Sequence, residues 1–111
     1  MTIVKDLIKQ LKAYDPNSNI YIGYEKKGEY GYLQCAPIEL NDEGLSFDKP
    51  EINIYDTKQA QPYSVQEMLR DLYTLDEDVI VTTGVQPHNY PGVIVNENLK
   101  VEQMGENVII K

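Results

Sequence analysis

Two segments of the sequence carry apolar residues at the three- and four-residue steps of an amphipathic helix. These residues are Val4, Leu7, Ile8, Leu11 and Tyr14 in the first segment, and Val65, Met68, Leu69, Leu72 and Leu75 in the second. The spacing places each set on one helical face. We expect Thr2 to cap the first helix, whereas Ser64 and Glu67 have the spacing of a capping box for the second. Asp15-Pro16-Asn17 is expected to end the first helix.

The separation between Val4 and Val65, which we call the repeat spacing, recurs beyond the helices. Further pairs at the repeat spacing are Asp15 and Asp76, Gly31 and Gly92, Ile38 and Leu99, Leu40 and Val101, Gly44 and Gly105, and Phe47 and Val108. The first strands after the helices are predicted at 19–24 and 78–83. The separation between them is expected to be slightly shorter than the repeat spacing, so that Asn19 corresponds to Asp78. Internal duplication is the interpretation that this order favours, and two independent helix-then-meander segments are the alternative.

Short runs that alternate apolar and polar residues follow each helix, and we interpret them as strands. The predicted strands are 19–24, 31–35 and 45–48 in the first half, and 78–83, 92–95 and 107–111 in the second. The fold class is therefore predicted to be α+β, an internally duplicated α-β-β-β unit. Two helices would pack on antiparallel sheet with approximate two-fold symmetry, because one such unit leaves open edges and a thin core.

The predicted domain organisation is a single domain over residues 1–111. Repeat 1 covers 2–48, a connector covers 49–63 and repeat 2 covers 64–111. Within the connector, Ile52, Ile54 and Tyr55 predict an additional strand at a sheet edge.

Charge and composition narrow the classes of function. Eighteen acidic and ten basic residues give a net charge of −8, which argues against direct contact with nucleic acid. Residues 62–111 are the more acidic part, with eight acids and three bases. This acidity either serves solubility or presents negative charge to a basic partner. The sequence has no signal-peptide pattern and no apolar run near the ~20 residues that span a bilayer, so we predict a cytoplasmic protein with no membrane contact.

The sequence offers little catalytic or metal-binding chemistry. Cys35 and His88 are the only pair that could form a thiolate–imidazole dyad, but Cys35 lies in an apolar strand and His88 in a turn-rich loop. One cysteine and one histidine do not make a structural zinc site. Asp76-Glu77-Asp78 lacks the alternating spacing of a calcium loop. We therefore predict no enzyme activity, no cofactor and no metal.

Tyrosine is unusually frequent among the aromatic residues: the sequence has nine tyrosines, one phenylalanine and no tryptophan. Four of them surround the first predicted hairpin, whose tip is at 26–28, and they are Tyr21, Tyr24, Tyr30 and Tyr32. Alternation along a strand puts Tyr30 and Tyr32 on one face. They either form cross-strand pairs that cover a small sheet or present a contact surface. In the second half, the candidate interaction residues are Asp76, Glu77, Asp78, His88 and Tyr90.

The opening of the chain combines three motifs: the helix Val4-Lys5-Asp6-Leu7-Ile8-Lys9-Gln10-Leu11, the turn Asp15-Pro16-Asn17 and the strand Ile20-Tyr21-Ile22. In this combination it resembles a type of small protein encoded by phages and prophages of Gram-positive bacteria. The resemblance covers about the first forty residues and, more weakly, 64–83. These motifs are structural, so the resemblance implies an accessory protein of a phage or mobile element and no catalytic residue.

Three functions follow from these observations. The first is a non-enzymatic interaction module, either with an unidentified protein partner or as a homodimer, acting through the tyrosine-rich hairpin or an open sheet edge. The second is an acidic mimic of nucleic acid that inhibits a host defence or DNA-binding protein. The third is a small-ligand binder at the seam between the two repeats.

Overall fold

The computed structural model describes residues 1–38, 51–57, 62–87 and 91–111. Two helices lie in these ranges, α1 at Val4–Leu11 and α2 at Val65–Leu72. The strands are β1 at Thr2–Ile3, β2 at Ile20–Lys26, β3 at Glu29–Gln34, β4 at Glu51–Tyr55, β5 at Ile80–Val85, β6 at Ile94–Asn96, β7 at Val101–Met104 and β8 at Asn107–Ile110. The α+β class and both predicted helices are confirmed, and β4 is the strand predicted between the repeats. The strand predicted at 45–48 lies outside the described residues.

The two helices bury the stripes that the sequence indicates, but they begin differently. Val4, Leu7 and Leu11 of α1 are fully buried, as are the corresponding residues Val65, Met68 and Leu72 of α2. The amide of Glu67 donates to Ser64 Oγ at 3.2 Å, which confirms the predicted cap of α2. The cap predicted at Thr2 is wrong, because Thr2 belongs to β1 and its hydroxyl accepts from the Leu99 amide at 2.8 Å.

The strands form two four-stranded sheets, and each contains one parallel pair. The first sheet has the order β1-β5-β4 with β6 also paired to β5, and the second has the order β3-β2-β8-β7. Strand β4 runs parallel to β5, and β8 runs parallel to β2. The sheets are therefore mixed: the prediction of antiparallel sheet is wrong for these two pairs, whereas the other strand pairs are antiparallel. Alternation of apolar residues identifies the buried face of a strand, but it carries no information about the direction of the neighbouring strand.

Backbone hydrogen bonds join the two sheets where β3 and β4 end. The amide of Ala36 donates to the Tyr55 carbonyl at 2.8 Å, and the amide of Thr57 donates to the Gln34 carbonyl at 2.8 Å. The inner faces of both sheets and the two helices contribute to one cluster of buried apolar side chains. None of the helices in the described ranges is long and apolar enough to cross a membrane.

A set of backbone contacts between the halves occurs twice at the repeat spacing. The amide of Val4 donates to the Val79 carbonyl at 2.9 Å, and the amide of Val65 donates to the Ser18 carbonyl at 2.9 Å. The next amides along, those of Lys5 and Gln66, donate to the carbonyls of Glu77 and Pro16 at 3.1 and 3.0 Å. Ser18 and Val79 therefore accept equivalent hydrogen bonds and are separated by the full repeat spacing. The shorter separation expected for the strands that follow the helices is wrong.

Candidate functional site

The tyrosine-rich hairpin consists of β2 and β3 joined by a two-residue turn. Lys27 and Gly28 occupy this turn with φ values of 50° and 82°, the left-handed geometry of tight hairpin turns. The register pairs Glu25 with Tyr30 and Gly23 with Tyr32. Because the turn is short and the ladder is continuous, the side chains of this hairpin project from a well-defined backbone.

Three of the four hairpin tyrosines lie on the outer face of the sheet. Tyr30 and Tyr32 are 79 % and 57 % exposed, and their predicted placement on one face is confirmed. The ring of Tyr21 meets that of Tyr32 edge to face, with 5.6 Å between ring centroids. We call Tyr21, Tyr30 and Tyr32 the tyrosine face. Tyr24 points the other way and packs against the core, so the predicted cluster is divided between two faces.

A charged pair borders the tyrosine face on the neighbouring strands. The Nζ atom of Lys111 lies 2.8 Å from Glu102 Oε2. The hydrogen bond with Glu102 and the charge of that carboxylate raise the pKa of the Lys111 ammonium, and Tyr30 contributes in the same direction. Tyr30 and Lys111 therefore lie near each other across the outer surface of the sheet.

Two glycines in the strands are covered by tyrosine rings. A Cβ atom added to Gly31 would lie 2.3 Å from Cζ of Tyr24, whose ring crosses the glycine. A Cβ atom added to Gly84 would lie 2.8 Å from Cε1 of Tyr55. Aromatic rings that cover strand glycines replace the side-chain contacts that glycine lacks.

A cleft of about 490 Å³ lies between the β2–β3 hairpin and the β5–β6 pair. The hairpin contributes Gly23, Glu25 and the rings of Tyr24, Tyr30 and Tyr32 to its walls, and the other side comprises Thr83 together with Ile94, Val95 and Asn96. Gly31, Ile109 and Lys111 complete the lining. The volume is within the range of ligand pockets, and the cleft lies at the seam predicted between the two halves.

The acidic candidates lie elsewhere and make no site with the tyrosines. Asp76, Glu77 and Asp78 are exposed in the turn between α2 and β5, and none of them lines the cleft. The carbonyl of Glu77 accepts from the Lys5 amide at 3.1 Å, so this turn supports the first turn of α1. His88 and Tyr90 lie outside the described residues. Within the described ranges, no group of three or more His, Cys, Asp or Glu side chains could hold a metal ion.

Two acidic groups, the Cys35 thiol and the Tyr63 phenol, are buried in the core. Burial raises the pKa of Cys35, and the charge of Asp56 acts in the same direction. Burial also raises the pKa of Tyr63, together with the hydrogen bond that its hydroxyl donates to Asp71 Oδ2 at 2.5 Å. A thiol that is buried and protonated at neutral pH does not act as a nucleophile.

These shifts predict that the protein loses stability in alkaline solution. Above the ordinary cysteine pKa of 9.0 the unfolded chain releases a proton that the folded chain retains, so the free energy of unfolding falls as pH rises. We expect a loss of about 1.5 kcal/mol from Cys35 by about pH 10. Urea unfolding of the protein and of Cys35→Ala between pH 7 and pH 10 measures this contribution. Parallel pH profiles for the two proteins would contradict the prediction.

Sequence reasoning placed a possible ligand site at the seam but missed the residues that line the cleft, although one signal for them was present. Gly23 and Gly84 are themselves separated by the repeat spacing, and both are strand glycines approached closely by a neighbouring strand. The cleft is also lined by Ile94, Asn96 and Lys111. Whether these residues line it depends on which strands become neighbours, and no local sequence pattern identifies them.

Comparisons of the chain with protein-family models, with curated proteins and with solved structures found no match.

Proposed function

We propose that this chain is a non-enzymatic interaction protein whose tyrosine face binds a partner protein. The observation that carries the proposal is the exposure of Tyr30 and Tyr32, at 79 % and 57 %. Both side chains lie on one face of β3, which is an edge strand of the second sheet. Tyrosine is enriched at protein interfaces because it contributes a large contact area with few rotatable bonds. On this proposal the protein acts in the cytoplasm of a bacterial cell.

The geometry of the tyrosine face favours binding with a small ordering cost. The edge-to-face contact with Tyr21 restricts the ring of Tyr32 before any partner arrives. The tight turn at Lys27 and Gly28 restricts the backbone of the hairpin. Side chains that are ordered in the free protein lose less entropy on binding, so more of the contact energy appears as affinity.

Replacing both exposed tyrosines of the face tests this proposal. We expect the double variant Tyr30→Ser/Tyr32→Ser to lose at least tenfold in affinity for the partner, since tyrosine anchors at interfaces contribute about 2 kcal/mol or more each. Tagged protein is used to capture partners from a lysate of the native host, and the affinity of the purified partner is then measured. Tyr73→Ser is the matched control, because Tyr73 is also 57 % exposed but follows α2.

The salt dependence of the captured complex separates this proposal from the nucleic-acid mimic. Contacts made by tyrosine rings change little with ionic strength, whereas an acidic mimic loses affinity steeply as salt rises. Equal binding by the wild type and the double variant, with a steep salt dependence, would reject the tyrosine face in favour of the mimic. Capture of a second copy of the chain, lost in the double variant, would identify a homodimer formed through this face.

We also infer that the chain arose by internal duplication and has approximate two-fold symmetry. The hydrogen bonds that recur at the repeat spacing support this inference, as does the placement of β8 parallel to β2 and of β4 parallel to β5. On this inference β4, which lies in the predicted connector, replaces the strand predicted at 45–48 as the counterpart of β8, because each lies parallel to the first strand after a helix in the other half. An experimental structure in which β8 does not lie beside β2, or β4 does not lie beside β5, would contradict it.

The origin of the protein is proposed from the resemblance of its first forty residues. We propose that it is an accessory protein encoded by a phage or another mobile element. The neighbourhood of its gene tests this directly: a position among conserved housekeeping genes, with no phage or mobile-element genes nearby, would count against the proposal.

The binding of a small ligand at the seam is a second candidate function. The cleft of about 490 Å³ between the β2–β3 hairpin and the β5–β6 pair favours it, because the walls combine tyrosine rings, aliphatic side chains and a few polar groups. A ligand in the cleft would contact Tyr30 and Tyr32 as well, so ligand and partner would compete for these side chains.

A further inference from the structure

We propose that the cleft accepts a short extended segment of the partner protein, which lies parallel to the end of β2 and antiparallel to β6. The inference rests on the proposed binding of a partner at the tyrosine face, since Tyr30 and Tyr32 also line the cleft, and it adds the kind of segment that the partner inserts. It follows from the way in which the chain fills the corresponding space between β3 and β5.

The chain fills that corresponding space with the residues that follow β4. Asp56 forms an antiparallel bridge with Cys35. The Thr57 amide donates to the Gln34 carbonyl at 2.8 Å. The Gln86 amide, directly after β5, donates to Asp56 Oδ1 at 3.5 Å. Two residues thus connect the end of β3 to the end of β5 through hydrogen bonds on both sides.

The cleft is lined by the counterparts of the residues that hold this segment. Three pairs at the repeat spacing relate the two places: Glu25 and Gln86, Asn96 and Cys35, and Val95 and Gln34. The first member of each pair lines the cleft. The cleft is therefore the counterpart of the space that Asp56 and Thr57 occupy.

A difference in one backbone hydrogen bond accounts for the open space. The register of β8 with β2 puts Lys111 at the position that Tyr55 of β4 holds beside β5. The Tyr55 carbonyl accepts from the Ala36 amide at 2.8 Å, which holds β4 against the end of β3. The Lys111 carbonyl instead accepts from the Lys100 amide at 2.7 Å. This bond holds β8 against the segment before β7, and a cleft of about 490 Å³ remains between β6 and the β2–β3 hairpin.

The end of β2 presents backbone groups to a strand in the cleft. Lys26 and Glu29 flank the two-residue turn as a hydrogen-bonded pair, so the next pair, Glu25 and Tyr30, is a non-hydrogen-bonded pair. The amide and carbonyl of Glu25 therefore point away from β3, on the side of β2 that continues past the end of β8. A segment that lies beside β2 on this side can pair with both groups.

Strand pairing and the charge of Glu25 define the segment. Main-chain hydrogen bonds provide affinity in this mode of binding, so the segment is extended and has an amide where Thr57 has one. Its length is about four residues, since β2 extends that far beyond its pairing with β8. Because Glu25 is acidic where Gln86 is neutral, an uncharged acceptor such as asparagine suits the position of Asp56 better than a carboxylate.

Appending a segment to the chain tests whether the cleft accepts a strand. Asn-Thr-Lys added after Lys111 continues β8 as Asp56 and Thr57 continue β4, and the covalent link gives it the high effective concentration that a weak site needs. Asn-Pro-Lys is the matched control, because proline lacks the amide whose counterpart in Thr57 donates to Gln34.

Two measurements on the extended proteins report insertion. Hydrogen exchange followed by NMR is expected to show the appended threonine amide exchanging at least about fivefold more slowly than in an unfolded peptide of the same sequence. Urea unfolding is expected to give an unfolding equilibrium constant at least about fivefold smaller for the Asn-Thr-Lys protein than for the control, since one further hydrogen bond is made.

The affinity of the captured partner tests whether the partner itself uses the cleft. A segment that occupies the cleft from within the chain competes with the segment of the partner. The Asn-Thr-Lys extension is therefore expected to lower the affinity for the partner at least about fivefold, while the Asn-Pro-Lys extension leaves it unchanged.

The outcomes separate the inserted segment from the tyrosine face. An unprotected threonine amide together with equal stability of the two extended proteins means that the cleft does not accept a strand, and the inference is rejected. Protection with unchanged partner affinity also rejects it, while a loss of affinity in Tyr30→Ser/Tyr32→Ser keeps the tyrosine face. Equal binding by the wild type and this double variant rejects the tyrosine face, whatever the extensions show. Protection of the amide together with weaker partner binding supports the inserted segment.

Discussion

Replacing Tyr63 by alanine is expected to lower the free energy of unfolding by about 3–5 kcal/mol, as for other large aromatic residues in cores. Tyr63 is 2 % exposed and lies immediately before the cap of α2. Its hydroxyl donates to Asp71 at 2.5 Å, and its backbone carbonyl accepts from the Ile20 amide at 2.8 Å. The backbone hydrogen bond to Ile20 remains in the variant, but the buried ring and its hydrogen bond to Asp71 of α2 are lost, which leaves a cavity in the core.

A second variant divides this effect into packing and hydrogen bonding. Tyr63→Phe keeps the ring and removes the hydroxyl, so we expect a loss of about 1–2 kcal/mol because the Asp71 carboxylate, which retains access to water, loses this donor. Urea unfolding monitored by circular dichroism measures both variants. Tyr73→Ala, at an exposed tyrosine whose ring centroid lies 5.6 Å from Lys12 Nζ, is expected to cost less than about 1 kcal/mol. Equal losses for Tyr63→Ala and Tyr73→Ala would show that Tyr63 does not contribute as described.

Replacing Ile110 by alanine is expected to cost about 2–5 kcal/mol, although Ile110 is the penultimate residue of the sequence. Terminal residues usually tolerate substitution because they are poorly ordered. Strand β8, however, lies between β2 and β7, and Ile110 is fully buried opposite Ile22. The side chain is therefore part of the core, and the strand carries hydrogen bonds on both of its edges.

The neighbouring isoleucine provides the control for this prediction. Ile109 points to the outer face of the same strand and is partly exposed, so Ile109→Ala is expected to cost less than about 1.5 kcal/mol. Removal of residues 107–111 is expected to prevent cooperative folding, because β2 and β7 lose the strand that joins them. A truncated chain with a wild-type urea midpoint would overturn the central position of β8.

The helices could be predicted from the sequence because the evidence for them is local. The buried residues of α1 and α2 follow the expected three- and four-residue steps, and Ser64 caps α2 as its spacing with Glu67 indicates. Thr2 had a similar local signal but failed as a cap, since pairing of Thr2 with Val81 draws it into β1. A tertiary contact thus overrode a local preference at the N-terminus of α1.

The candidate site could be predicted only in part. The shared face of Tyr30 and Tyr32 follows from alternation along β3 and is confirmed by their register with β2. The separation of Tyr24 from the tyrosine face follows from the same rule, since Tyr21 and Tyr24 are an odd number of positions apart on one strand. The cleft combines this hairpin with β6 and the end of β8, which belong to the other half of the sequence. No local pattern predicts that neighbourhood.

The sequence alone indicates the two helices, the hairpin that carries the tyrosine face and the strands other than β1 and β7, because each depends on the helical or strand periodicity of side chains within a short window. Packing between distant segments places β8 parallel to β2 and β4 parallel to β5, and brings the β2–β3 hairpin and the β5–β6 pair to one cleft. The physical reason is that alternation specifies which side chains a strand buries but not which strand lies beside it. That choice depends on packing both sheets and both helices around one core.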